Sequence, residues 1–424
     1  MVVNLANFGV ARDAPSGELM MEDVALSAVA HRFGTPCFVY SQAALTNAFA
    51  QLNDSLKAAR GGRPYLVCYA VKANSNLAVL NLFARLGAGF DIVSGGELQR
   101  VLKAGGDARK VVFSGLGKSA AEMKMALEAG IKCFNVESEP ELERLNTVAA
   151  SVGKRAKISL RVNPDVDAKT HPYISTGLKN NKFGVSFERA MAVYRKAATL
   201  AHIEVAGVDC HIGSQLTDDA PLREAMGRIV ALADLLKAEG IPIHHICPGG
   251  GIGIIYKDET TIALDQYALA LQACLGDRDV ELLLEPGRML VGNAGVLLTR
   301  VEYVKLIEAK NFLVVDAAMN DLIRPPLYQA YHEVVAVQAS AAPVRVYDVV
   351  GPVCESTDVL AYERRLQAAE GDLMAILSAG AYSFVMSSNY NTRPRAAEVM
   401  IAASDMREVR ARETFDELVA GEKI

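Results

Sequence analysis

The chain has 424 residues, 51% of them hydrophobic and 22% charged, which matches folded globular proteins and excludes extended disorder. Its 44 Lys and Arg against 49 Asp and Glu give a net charge of −5, leaving no basic excess to neutralise a row of phosphates, so no nucleic-acid partner is expected. The 7 cysteines are widely spread and form no C-x-x-C pair, which speaks against a disulfide framework or a zinc ribbon and for a reducing cytoplasm. No basic leader precedes an apolar run, and no stretch approaches about 18 uninterrupted apolar residues, so neither a signal peptide nor a membrane span is expected. At about 150 residues per domain, the length predicts two or three domains, or one large domain and a smaller one.

In chain order, residues 22 to 33 place Leu26, Val29, Ala30 and Phe33 at helical spacing, closed by Gly34 and Pro36. A short strand at Phe38 to Tyr40 follows. From Tyr65 onward, apolar β-type runs alternate with helix-period segments: Tyr65 to Val71, Phe90 to Val93, Val111 to Ser114, Cys133 to Val136, Lys157 to Val162, Val205 to His211, His244 to Cys247 and Glu281 to Glu285. Between them, Leu222, Ala225, Met226, Ile229, Leu232, Ala233 and Leu236 form one helical stripe, and Phe187, Ala190, Met191, Tyr194 and Ala197 another.

Eight βα repeats predict an α/β fold, a closed (β/α)8 TIM-type barrel over residues 45–290. An open doubly wound sheet has the same period. Polar, glycine-rich text at the C-terminal end of nearly every run favours the barrel, because a barrel assembles its site there. The long connection carrying HPYISTG (171–177) and KFG (182–184) is expected over the barrel mouth. After Gly292 the β-rich runs Val296 to Leu306, Phe312 to Val315, Glu333 to Val337, Val344 to Val350 and Val399 to Ala402 predict a second, mainly β domain, built from residues 291–424 and the N-terminal residues 1–44.

Four chemically conspicuous groups end barrel runs. Lys72 follows the first; burial there would favour the neutral amine that an imine needs, although a strand-end lysine also simply reaches solvent. His211 ends the sixth run, where a core histidine is the plain alternative to a functional one. Gly249, Gly250 and Gly251 follow the seventh; consecutive glycines let backbone N–H groups converge on a phosphate, or make a tight turn. Glu285, with Pro286, Gly287 and Arg288, ends the eighth, where a buried carboxylate needs a cationic partner, either a ring nitrogen or an arginine. His244 and His245 are adjacent on a strand and point to opposite faces, and no i, i+4 histidine pair exists, so no metal site is expected. An imine-forming amine, a ring to stack on a planar group, a phosphate cradle and an anion for a ring nitrogen are together what pyridoxal phosphate requires.

These motifs resemble the diaminopimelate decarboxylase family, pyridoxal-phosphate enzymes of the alanine-racemase-like fold group. The resemblance runs from FGTPCFVY (33–40) through YAVKANSN (69–76), GFDIVSGGEL (89–98), HIGSQ (211–215), PGGGIGI (248–254) and EPGR (285–288) to DAAMNDLIRPPLYQAYHEV (316–334), GPVCESTD (351–358) and GAYSFVMSSNYNTRP (380–394). It implies decarboxylation of meso-2,6-diaminopimelate to L-lysine and CO2, the last step of lysine biosynthesis. Lys72 would hold pyridoxal 5'-phosphate as an imine, with His211, Ser214, Gly249, Gly250, Gly251, Glu285, Pro286, Gly287, Arg288 and Tyr382 around it. The small-molecule amino-acid substrate would meet Arg288, Arg324, Tyr328, Glu355 and Tyr382, and Cys354 would supply a proton. The resemblance also implies a homodimer with shared active sites, Cys354 and Glu355 arriving from the second subunit. Ala318 and Thr357 stand where glycine is common in the family.

Related activities compete with this reading. Decarboxylases of ornithine, lysine, arginine or carboxynorspermidine share the fold, but typically follow the cysteine with aspartate where this chain has Glu355. Alanine racemases place an arginine where this chain has Glu285. A non-catalytic cofactor-binding relative would usually have lost Lys72 or Cys354.

Overall fold

The computed structural model describes residues 4–167 and 182–424. The HPYISTG segment at 171–177 lies outside them. Two compact units are present, Phe49–Gly253 with Thr260–Gly287, and Met1–Ala48 with Ile254–Glu259 and Arg288–Ile424.

The first unit is a barrel of eight parallel strands: β1 (Tyr65–Ala70), β2 (Gly89–Ile92), β3 (Val111–Phe113), β4 (Cys133–Val136), β5 (Ala156–Asn163), β6 (Ile203–Asp209), β7 (His245–Cys247) and β8 (Glu281–Leu284). Each pairs with its successor, and β8 pairs with β1 to close the ring. The sequence runs fall on these strands within two residues at each end, because strands buried on both faces are largely apolar. Cys68, Val112, Cys133, Cys247 and Leu283 pack together from five strands, so three of the thiols serve as small apolar side chains. Outside the strands, the stripe from Leu222 to Leu236 is buried on the helix Ala220–Ala238. Serines start the surrounding helices: Ser119 and Glu122 form a reciprocal capping box before Ala120–Ala129, and Ser94 and Ser138 cap the two neighbouring helices.

The second unit is mainly β. Its largest sheet runs in the order Val359–Gln367, Val344–Val350, Asn311–Val315, Gly295–Leu306, Cys37–Ser41, Ala397–Ala402, Asp405–Arg410. The N-terminal strand Cys37–Ser41 is therefore internal, antiparallel to Gly295–Leu306 and parallel to Ala397–Ala402. Val29, Cys37, Val39, Val296, Leu298, Ala375 and Val399 are among the residues of its core. The helix expected over 22–33 begins only at Leu26, since Val24–Ala25 is drawn into a strand pair with Leu19–Met21. Among the described residues, no helix is long and apolar enough to cross a membrane.

Candidate active site

In the barrel unit, register brings the polar residues to one rim. Asp91 lies beside Ala70 at the end of β1 and β2, and Asp209, the last residue of β6, lies beside Arg161 and Cys247. Lys72 follows β1 in the single turn Val71–Ala73, and its Nζ stands 3.0 Å from Asp91 Oδ2. Its side chain is 39% exposed while that of Asp91 is fully buried. The desolvation argument made from the sequence therefore does not describe Lys72, whose amine sits at a carboxylate instead of in an apolar slot.

Glu285, immediately after β8, accepts a hydrogen bond from Asn135 Nδ2 at 2.9 Å, and Asn135 in turn donates to Ser114 Oγ. Burial raises the Glu285 pKa well above the carboxylate range; Asp91 and Asp209 push it further, against Lys72 and Arg161. Burial likewise raises Asp209, to about 7. Asp91 Oδ1 and Asp209 Oδ1 are buried without a hydrogen-bond partner. The cluster thus holds more carboxylate than cation, which favours a bound positive group. Ligand atoms of Asp209, Cys247 and Glu285 lie within 4.8 Å of one another, but burial keeps Cys247 a thiol, its pKa raised well above the ordinary value.

His211 follows β6 and is half-buried. Burial, then Arg161 and Lys72, push its pKa well down, so the ring is neutral. Gly250 N–H donates to its Nδ1 at 3.4 Å, which leaves the ring proton on Nε2. Glycine is required beside it by packing: a Cβ on Gly249 would lie 2.6 Å from the Cys210 carbonyl, on Gly250 2.0 Å from the Glu285 carbonyl, and on Gly251 2.4 Å from the Gly213 carbonyl. Backbone bonds tie these loops, Glu285 N–H to Gly249 O, Leu216 N–H to Gly251 O and Ala70 N–H to Pro286 O. Lys72, His211, Ser214, Gly249 to Gly251 and Glu285 to Gly287 therefore belong to one cluster of strand ends. This donor set fits pyridoxal phosphate: an amine, a neutral ring, backbone loops stripped of side chains, and a buried acid surplus suited to a protonated ring nitrogen.

The second unit carries a complementary cluster. Arg288 opens the turn Arg288–Val291 and Arg324 opens Arg324–Tyr328; both are 6% exposed. Their guanidiniums lie 5.8 and 4.8 Å from the Tyr256 ring centroid. Arg288 also lies over Tyr382 at 4.9 Å, and Tyr382 is held in the left-handed region at φ 54°. Tyr328 is half-buried in the same short helix as Arg324. Cys354 and Glu355 are exposed in the loop after Val344–Val350; Asn391 Oδ1 accepts from the Cys354 N–H, and Glu355 accepts from Thr357 Oγ1.

Sequence reasoning passed over Asp91, Asn135, Arg161, Asp209, Tyr256 and His332. The two aspartates carried a usable signal, a lone charge inside GFDI or VAGVD, whereas Tyr256 and His332 gain significance only from tertiary placement.

Residues 43–292 match the family described as pyridoxal-dependent decarboxylase, pyridoxal binding domain. The chain is 59% identical to a diaminopimelate decarboxylase of Pseudomonas aeruginosa, over 97% of this chain and 98% of that protein. It is 57% identical to one of Vibrio cholerae, over 96% and 97%. Among solved structures it is similar to the diaminopimelate decarboxylase of Helicobacter pylori complexed with L-lysine, with TM-score 0.90 and 43% identity over 93% of this chain and 98% of that one. The enzyme of M. jannaschii in co-complex with L-lysine gives TM-score 0.93 and 37% identity over 99% and 98%.

Proposed function

The chain belongs to the pyridoxal-dependent decarboxylases, in the diaminopimelate decarboxylase family, and on that premise we propose that it removes one carboxyl group of meso-2,6-diaminopimelate as CO2 and releases L-lysine. The observation that carries the substrate is the pair of buried guanidiniums, Arg288 and Arg324, gathered on one tyrosine. Planar guanidiniums suit bidentate recognition of a carboxylate. Diaminopimelate has a second carboxylate to offer. Ornithine or lysine presented for decarboxylation has none, and would leave these cations unmatched at a cost of several kcal/mol.

When bound, pyridoxal phosphate supplies an electron sink for the pair left behind as CO2 departs. Lys72 would hold it covalently, with Asp91 orienting the amine. Ser214 and the Gly249 to Gly251 loop would bind its phosphate, with Pro286, Gly287, Arg288 and Tyr382 nearby, and neutral His211 would lie against its ring. Glu285 would keep a proton on the ring nitrogen, because an anion beside that atom favours its charged form. Arg288, Arg324 and Tyr328 would orient the distal carboxylate, and Glu355 the distal ammonium. The Cys354 thiol would deliver a proton to the carbon that lost CO2.

The exposure of Cys354 in a single chain supports a homodimer with shared active sites. Mixing inactive Lys72→Ala and Cys354→Ala chains would then regenerate wild-type sites in mixed dimers and restore about a quarter of wild-type activity; no restoration would remove the shared site. All seven cysteines are free, which supports a reducing cytoplasm. The functional reading is tested by loading purified protein with cofactor and identifying products from meso-diaminopimelate. Equimolar CO2 and L-lysine, with a visible band bleached by borohydride, is the expected result; absence of CO2 release overturns it.

A further inference from the structure

Tyr256, six residues after Gly250, occupies the centre of the arginine pair. It is 5% exposed, and Arg288 Nη1 donates to its hydroxyl at 2.6 Å. Arg324 is steadied from another side by His332, fully buried and packed edge-on against the Tyr256 ring. His332 Nδ1 lies 2.8 Å from the Leu377 carbonyl. A carbonyl can only accept, so Nδ1 bears the ring proton and Nε2, 2.9 Å from Arg324 Nη1, accepts from the guanidinium. Burial and then Arg324 push the His332 pKa down to about 3, so it stays neutral.

Arg324 is therefore held by an imidazole, and Arg288 donates to a phenol whose ring also packs against Arg324. Arg324 Nε is buried with no partner. A phenol has one proton to give. Among the described residues, no acceptor for the Tyr256 hydroxyl proton is found, while its oxygen already receives Arg288. Burial would raise the pKa of this phenol, but Arg288 and Arg324 outweigh it and hold it below the ordinary value; an O–H polarised in this way is a stronger hydrogen-bond donor.

We propose that Tyr256 is a specificity-determining residue of this site, its hydroxyl proton joining the guanidiniums of Arg288 and Arg324 in binding the carboxylate that the reaction leaves on the product. This rests on the decarboxylase reading above. Removal of one of the two carboxyl groups of diaminopimelate leaves the other on L-lysine, so the product itself probes the subsite. Cadaverine, the same carbon chain with hydrogen in place of that carboxylate, is the matched control.

Tyr256→Phe keeps the ring and its stacking against both arginines and removes only the O–H. The experiment compares inhibition constants of L-lysine and cadaverine, and KM and kcat for meso-diaminopimelate, in wild type and variant. Loss of a hydrogen bond to a charged group predicts about 10- to 100-fold weaker L-lysine inhibition, with KM rising in parallel. Cadaverine inhibition and kcat should stay within about 3-fold. Equal weakening of L-lysine and cadaverine would mean a merely structural tyrosine, and no weakening of either would mean the hydroxyl does not meet the carboxylate; both overturn the proposal. A wild-type enzyme that releases no CO2 from meso-diaminopimelate overturns the functional reading as well, so the two failures are distinguishable.

Discussion

The two units bury opposite kinds of ionisable group, carboxyls at the barrel rim and guanidiniums in the β-rich unit. At the barrel rim, Lys72 and Arg161 act on Glu285 against Asp91 and Asp209, and among the described residues Asp91 Oδ1 and Asp209 Oδ1 have no hydrogen-bond partner. In the β-rich unit, Arg288 and Arg324 are buried, Arg288 donating to the Tyr256 phenol and Arg324 to the neutral His332 imidazole. One cluster is rich in buried carboxyls and the other in buried guanidiniums. Just three sequence positions separate Glu285 from Arg288. Burying either kind of group is costly, and each cluster suits a ligand of opposite charge, a protonated ring nitrogen in the first and a carboxylate in the second.

The largest test of this contrast removes the amine proposed to hold the cofactor. Lys72→Ala should lose measurable decarboxylation while retaining its circular dichroism spectrum; CO2 release at the wild-type rate would break the barrel half of the account. Next, Glu285→Gln keeps the shape but removes the anion, and should lower kcat by about 10²- to 10³-fold with little change in KM. In the other unit, Arg324→Met should instead act on KM for meso-diaminopimelate, raising it about 10²-fold; a pure kcat effect would merge the two regions that the comparison separates.

The smallest effect concerns stability. Because burial raises the Asp209 pKa to about 7, the folded state favours its protonated form. That contribution is complete below the unfolded value of about 4 and is lost as pH climbs to about 7. Cofactor-free wild type should therefore lose melting temperature relative to Asp209→Asn between those pH values, and a difference independent of pH would show that the carboxyl is not buried as described.

The barrel was legible because its strands are short, mostly apolar runs at βα spacing, and Lys72 and Glu285 because a charge closing such a run is out of place. The strand Val359–Gln367 was not. It is the outer strand of its sheet, carries Glu363, Arg364 and Arg365, and has Glu363 at positive φ, so neither alternation nor a continuous apolar run marks it. Tyr256 was equally hidden, since a tyrosine five residues beyond the Gly249 to Gly251 loop has no local feature that joins it to arginines at 288 and 324. Asp91 and Asp209 were readable in principle, but pairing carboxylates across strands needs the register, which only the closed barrel supplies.

The central claim is that the β-rich unit reads a second carboxylate while the barrel supplies the chemistry. Its most direct measurement is CO2 release by cofactor-loaded wild-type protein from meso-diaminopimelate, L-lysine, L-ornithine and L-arginine in parallel. Turnover of meso-diaminopimelate, with kcat/KM for each of the others lower by about 10³-fold or more, is the predicted result. Equal or preferred turnover of any of the three would contradict it.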